Sequence, residues 1–150
     1  MYAAALLAGL DMVRNGYTMF MEPGTAEYPD DVAAACEAVG IRASLADANL
    51  MDMKGLPQMA EAPKDTKTCL NQLGRQLWRN KDPDALVRAH VSIYGLGTQS
   101  EELMRAAKAC ADENKVRFNM HQSQCIDDAT IDVQRFGHPA YVQWAEMGIL

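Results

Sequence analysis

Positive charge is scarce in this sequence. Its 150 residues carry 14 Lys and Arg against 20 Asp and Glu, a net charge of −6. No basic segment offsets that balance locally, which argues against bulk electrostatic binding to nucleic acid or anionic lipid. The four cysteines are Cys36, Cys69, Cys110 and Cys125. None forms a C-x-x-C pair, so a cysteine zinc site is not expected. Cys36 and Cys110 lie among alanines in helical patterns and read as small apolar residues. A reduced, cytoplasmic setting is the simpler inference. Long hydrophobic runs are missing as well. The N-terminal "YAAALLAGLDMVRNG" has a faint likeness to a signal peptide, but it lacks a basic n-region, and Asp11 and Arg14 interrupt it early. Its apolar run is far shorter than the ~20 residues needed to cross a bilayer.

What is present suits one domain of ordinary size. Hydrophobic residues make up 49% of the chain and charged residues 23%, enough to bury a core. Three junctions look alike: "DMVRNG-YTMFM", "CEAVG-IRASLAD" and "CADENK-VRFNMHQ". Each runs from a helical pattern, through a stop signal, into an apolar strand. In the first, Leu6, Leu10 and Val13 form the helical stripe and Asn15-Gly16 ends it. In the second, Pro29 and Asp30-Asp31 suit a first helical turn. Val32, Ala35, Cys36 and Val39 then share a face, and Gly40 supplies a left-handed stop. In the third, Ser100 or Thr98 caps, Glu101 and Glu102 favour the N-terminus, and Leu103, Ala107 and Cys110 face inward.

Between the second and third units, residues 52 to 65 read as an irregular loop with Gly55, Pro57 and Pro63. A helix is expected from about Thr66 to Asn80, broken by Pro83. A strand follows near residues 88–95. After His121, helices are expected over 126–136 and 139–147. The order αβ-αβ-αβ-αβ-α implies parallel strands near 17–21, 41–47, 88–95 and 116–121, with right-handed crossovers. Such strands build either an open doubly wound sheet or half of an eight-stranded barrel. In both, ligands meet the C-terminal strand ends, which here carry Glu22, Asp47, the segment Gly95-Leu96-Gly97-Thr98, and His121 with Gln124.

His121 ends a strand, a stiff position from which a neutral imidazole can serve a metal; a locally hydrogen-bonded histidine is the bland alternative. His90 lies inside its strand and reads as structural, and His138 sits in a Gly-His-Pro turn. "GLGTQS" at 95–100 has most features of a phosphate-binding loop, but the next strand ends in His121 and Gln122 rather than an acid, and a tight glycine turn explains it as well. Glu22 and Asp47 read either as acids that solvate the rim or as a proton-transfer pair. The methionines have no regular spacing and read as core filler.

These residues also resemble a family. "AAALLAGLDMVRNGYTMFMEPG" looks like the amidohydrolase-superfamily segment in which a helix ending in an R-x-G-x-T motif feeds the second barrel strand. "ACEAVGIRASLADANLMD" looks like the next helix and third strand. "VRFNMHQSQ" is similar to the fifth strand, usually a histidine, two residues and a glutamate. The likeness is to the branch of cytosine, guanine and adenosine-type deaminases and triazine chlorohydrolases.

The resemblance implies an α/β fold, a partial (β/α)8 TIM barrel holding strands two to five with their helices, as a single domain over residues 1–150 truncated at both ends. It implies one divalent metal, zinc or iron, in the full-length parent, held by a His-x-His after strand one, a histidine ending strand five and an aspartate ending strand eight. His121 matches the strand-five ligand, and no His-x-His occurs in the chain. Strand four ends without the lysine of two-metal members. Gln124 stands where the family often has a glutamate proton shuttle, and an amide cannot act as a general base near neutral pH. The implied function is hydrolysis of C–N or C–Cl bonds of a small, heterocyclic substrate by metal-activated water, with His121 on the metal and Gln124 in the catalytic site. The chain alone is expected to be inactive. Expected partners are a small-molecule substrate and further copies of the chain, with no nucleic acid and no membrane. A flavodoxin- or Rossmann-like phosphate-binding module and a non-catalytic half-barrel are the alternatives.

Overall fold

The computed structural model describes residues 1–54, 63–94, 97–123 and 125–150, with the side chain of Asp128 left aside. Helix α1 spans Tyr2–Arg14 and leads into strand β1, Met19–Met21. Helix α2, Pro29–Val39, ends at Gly40, whose φ of 82° is the left-handed stop expected there, and strand β2 follows at Arg42–Leu45. Pro29 occupies the first turn with Asp30 and Asp31, where a missing N–H costs nothing and negative charge meets the helix dipole. Beyond the loop come α3, Thr66–Gln72, a short 3-10 helix over Leu77–Lys81, β3 at Val87–Ala89 and β4 at Val91–Ile93. Helix α4 covers Glu101–Glu113 and precedes β5, Phe118–Met120. Helices α5, Ile126–Phe136, and α6, Ala140–Glu146, close the chain.

Among the described residues every strand pairing is parallel. β1 pairs with β2 and β2 with β3, through Met19–Arg42 and Ala43–Val87 among others. β4 pairs with β5, through Val91–Phe118. The expected fourth strand is thus divided at His90 into β3 and β4. The first half bonds β2 on one side and the second half bonds β5 on the other. His90 carries the chain across, its N–H donating to Leu45 O at 3.0 Å while Val91 N–H donates to Arg117 O at 3.1 Å. This is how a sequential parallel sheet curves from one neighbour to the next.

Side chains alternate across this surface. Phe20, Ala43, Leu45 and Val87 face a core built with α1 and α2. Val91, Ile93 and Phe118 face a second core with Met104, Ala107 and Trp144. Leu50, Cys69 and Leu103 bridge α3 and α4. Burying each large side chain of this kind is worth roughly 1.5–3 kcal/mol.

Two expectations need correction. The inward stripe of α1 is not Leu6, Leu10 and Val13. Gly9 is the buried residue, and a Cβ there would lie 3.4 Å from Val39 Cγ2. Close helix packing selects the smallest side chain, with Ala5 and Met12 beside it, and leaves Leu7, Leu10 and Val13 exposed at 70%, 47% and 44%. The helix expected from Thr66 to Asn80 also stops early, at Gln72. Gly74 turns the chain with φ 81°, and its Cβ position is only 3.1 Å from Cys110 Sγ.

Candidate functional site

Parallel strands bring their C-terminal ends to one rim, where Glu22, Asp47, Tyr94 and His121 lie. Glu22 does not solvate that rim. It is 8% exposed. Its Oε2 accepts from Gly24 N at 3.0 Å, and its Oε1 accepts from Thr25 N, Thr25 Oγ1 and Ala26 N at 2.6, 2.7 and 2.9 Å. A carboxylate so occupied shapes the loop after β1. Gly24 is required in this loop: its φ is 87°, and a Cβ would meet Asp47 O at 3.0 Å.

Asp47 plays a parallel role after β2. Its Oδ2 accepts from Gly74 N at 2.6 Å and its Oδ1 from Gln76 N at 3.2 Å. These bonds end α3 early, because a carboxylate from another strand captures the N–H groups of the turn. Burial pushes the Asp47 carboxyl up to about 6, against the opposing pull of the Gly74, Gln76 and Arg75 backbone. Glu22 and Asp47 therefore each anchor a loop at the strand ends.

His121 follows β5 directly. Its N–H donates to Ile93 O at 3.1 Å. Its ring is stacked on Tyr94, with centroids 5.0 Å apart and planes 10° from parallel. Tyr94 in turn donates its hydroxyl to Asn49 Oδ1 at 3.0 Å. The imidazole is thus fixed at backbone and face, from β5, β4 and the loop after β2. Next to it, Gln122 Nε2 donates to the buried Asp132 of α5. Gln124 lies outside the described residues. Among the described residues, no group of three or more His, Cys, Asp or Glu side chains stands ready to hold a metal.

His90 and His138 are placed as expected. His90 is 2% exposed, and its Nδ1 lies 2.9 Å from Ser44 Oγ. Burial lowers its pKa, and the charge of Glu22 opposes that. His138 contacts Pro139 O in its own turn and lies 3.6 Å from Glu146.

Asp52 was not singled out from the sequence. Its Oδ1 accepts from Ser100 N at 2.7 Å and its Oδ2 from Ser100 Oγ at 2.5 Å and Thr66 Oγ1 at 2.8 Å. Ser100 caps α4 by accepting from Leu103 N at 3.2 Å. The anion position at this helix N-terminus is already filled by Asp52, so the phosphate-loop reading of residues 95–100 has no support; Gly95 and Leu96 themselves lie outside the described residues. No pair within six positions signals this contact. Tyr94 was likewise legible only as the end of a strand.

No family model matches the sequence. A curated 5'-deoxyadenosine deaminase from Methanothermobacter thermautotrophicus is 25% identical over 149 residues, covering 99% of this chain and 33% of that protein. Guanine deaminase from C. acetobutylicum superposes with a TM-score of 0.77 at 17% identity, over 99% of this chain and 36% of that one. The chain is thus similar in sequence to one deaminase and in fold to another. Two zinc-containing structures superpose similarly: adenosine deaminase from Xanthomonas campestris, with a TM-score of 0.76, 18% identity and 97% and 31% of the two chains covered, and atrazine chlorohydrolase from Arthrobacter aurescens TC1, with 0.73, 18%, 97% and 34%. These relatives are hydrolytic enzymes. The chain spans about a third of their length.

Proposed function

We propose that residues 1–150 supply strands two to five of a (β/α)8 barrel in a metal-dependent amidohydrolase that hydrolyses C–N or C–Cl bonds of a small heterocyclic substrate. The observation that carries this reading is the placement of His121, a histidine at the C-terminal end of a parallel strand with its ring fixed by Tyr94. Zinc-bound relatives of the same fold support a divalent metal beside it. The fit within these residues is partial, since one imidazole is far from the three or four ligands a tight site needs. The remaining ligands belong to other barrel strands. A divalent metal in such a site lowers the pKa of water and polarises the substrate. The residues described here contribute the ring, its orientation and the rigid rim: Glu22, Asp47 and Asp52 fix the loops after β1 and β2 and the start of α4. Gln124 orients substrate or water, and proton transfer falls to another group.

The four free cysteines suit a cytoplasmic enzyme, and among the described residues no helix is long and apolar enough to cross a membrane. The test is hydrolysis of a panel of aminopurines, aminopyrimidines and chlorotriazines by the protein expressed from its full gene. Metal-dependent turnover of at least one ring substrate, lost in His121→Ala, supports the reading. Metal-independent turnover, or none across the panel, contradicts it.

A second reading is that the chain self-associates. β1 has β2 as its one strand neighbour among the described residues, Met19 and Tyr17 are 50% and 60% exposed, and Leu7, Leu10 and Val13 are uncovered on α1 beside it. Another copy, or other barrel strands, would cover this edge.

A further inference from the structure

Helix α5 leaves the rim directly after β5, and its buried residue is a carboxylate. Among the described side chains of α5 only Asp132 is buried, at 1% exposure. Ile131 and Phe136, apolar neighbours on the same helix, are half-buried. Taking a carboxylate out of water costs stability unless good partners meet it. An apolar side chain of similar volume often folds as well or better. Stability alone does not select aspartate here. The burial of Asp132 is complete within residues 1–150, so it does not depend on whether further barrel strands are present.

Asp132 Oδ2 accepts from Gln122 Nε2, the side-chain amide next to His121. The same nitrogen donates to Ser123 Oγ at 3.3 Å, which an amide with two hydrogens allows. Ser123 has φ 52°, a left-handed conformation that serine rarely takes and that persists only where its surroundings hold it. Cys125, which begins α5, provides no side-chain cap. On its upstream side His121 is held by the strand ladder, through Ile93 O, and on its ring face by Tyr94. Gln122 holds the downstream side. Neighbouring residues of an extended chain point to opposite faces. Gln122 accordingly reaches α5, while the His121 ring lies on Tyr94.

We propose that Asp132 is a positioning residue for the metal site: through Gln122 it fixes the turn after β5, and so the aim of the His121 imidazole. The inference rests on the reading of His121 as a metal ligand. Asp132 touches neither metal nor substrate in this role. A ligand nitrogen meets its metal along the lone pair, so a turn left free to pivot at Gln122 costs affinity and distorts the ligand geometry. Groups outside the ligand shell that fix a ligand's direction are commonly worth about 10–100-fold in affinity. One that acts through a second side chain belongs at the lower end of that range.

Two measurements on the protein expressed from its full gene test it: zinc affinity, by competition with a chromogenic chelator, and the visible spectrum of the cobalt(II)-loaded protein, which reports ligand geometry. Asp132→Leu and Gln122→Met each remove the bond, one from its buried side and one from its half-buried side. Each is expected to weaken zinc binding about tenfold and to shift the cobalt bands. Asp132→Asn keeps an acceptor oxygen and is expected to keep wild-type affinity and spectrum. Phe136→Leu loosens the far end of α5 against the second core. It is expected to lower the melting temperature and leave both metal readouts unchanged. Wild-type affinity in Gln122→Met or Asp132→Leu, the same loss in Phe136→Leu, or an Asp132→Asn variant as impaired as Asp132→Leu would each overturn the proposal. A wild type without zinc affinity, or a His121→Ala variant that keeps it, would overturn the reading of His121 and this proposal with it.

Discussion

The phenol ring of Tyr94 lies against the imidazole of His121, 5.0 Å between centroids and 10° from parallel. The Tyr94 hydroxyl is anchored on Asn49, so the end of β4 and the loop after β2 together set the orientation of a ring carried by β5. Groups that orient a metal-binding histidine are commonly worth about 10–100-fold in metal affinity. In the protein from the full gene, Tyr94→Leu is expected to weaken zinc binding by about that factor. Tyr94→Phe keeps the stack, loses one hydrogen bond and is expected to cost less than about tenfold. Competition with a chromogenic chelator measures both; equal zinc affinity in Tyr94→Leu and wild type would remove Tyr94 from this role.

The raised pKa of Asp47 has a consequence for stability. In the folded chain its carboxyl titrates near 6, and in the unfolded chain near 3.8. Between these values the folded state holds the extra proton, so stability falls as pH rises from about 4 to about 6 and is level above that. The shift corresponds to roughly 3 kcal/mol. Asp47→Asn mimics the neutral form and is expected to flatten this part of the stability–pH profile. Urea unfolding at several pH values decides it: a variant that keeps the wild-type slope over that window contradicts the assignment.

Asp52 joins the start of α3 to the start of α4 through Thr66 and Ser100. Asp52→Ala strands a backbone N–H and two hydroxyls at once, and bonds to a charged group are worth about 1.5–3 kcal/mol each. A loss on the order of 2–4 kcal/mol is expected, with a smaller loss in Asp52→Asn, which keeps one acceptor. The unfolding midpoint at unchanged slope reads the effect. A loss below about 0.5 kcal/mol, the level of an ordinary surface substitution, would mean that the bonds contribute nothing net.

The contrast between Gly40 and Gly74 shows what the sequence discloses. Gly40 follows an apolar helical stripe and precedes a strand, so its left-handed stop is readable locally. Gly74 stops a helix because Asp47, 27 residues earlier, takes its N–H; nothing near Gly74 announces that. The same division separates His121, whose place at a strand end follows from alternation in "VRFNMHQ", from Tyr94 and Asp52, whose roles rest on partners far along the chain. The face of α1 that packs inward differs from its apolar stripe for a related reason. Leu6, Leu10 and Val13 have the right period, but contact with α2 is close enough to demand Gly9, and helical period alone does not say which face lies nearest its neighbour. The split of the fourth strand at His90 depends on which strand each half bonds, again a long-range choice.

The uncovered edge of β1 and the apolar side chains of α1 give an expectation for residues 1–150 expressed alone. Exposed parallel edges without a proline or inward charge recruit further strands. Light scattering of the purified chain is expected to show dimers or larger species. A monodisperse monomer of 16.5 kDa with a cooperative melt would show that this edge needs no partner.

The central claim is that His121 serves the metal of an amidohydrolase barrel. Metal content per chain, measured by mass spectrometry on the protein from its full gene and on its His121→Ala variant, tests it most directly. One equivalent of zinc or iron in the wild type, lost in a variant that still folds, is the predicted result. Equal metal content in both proteins would contradict it.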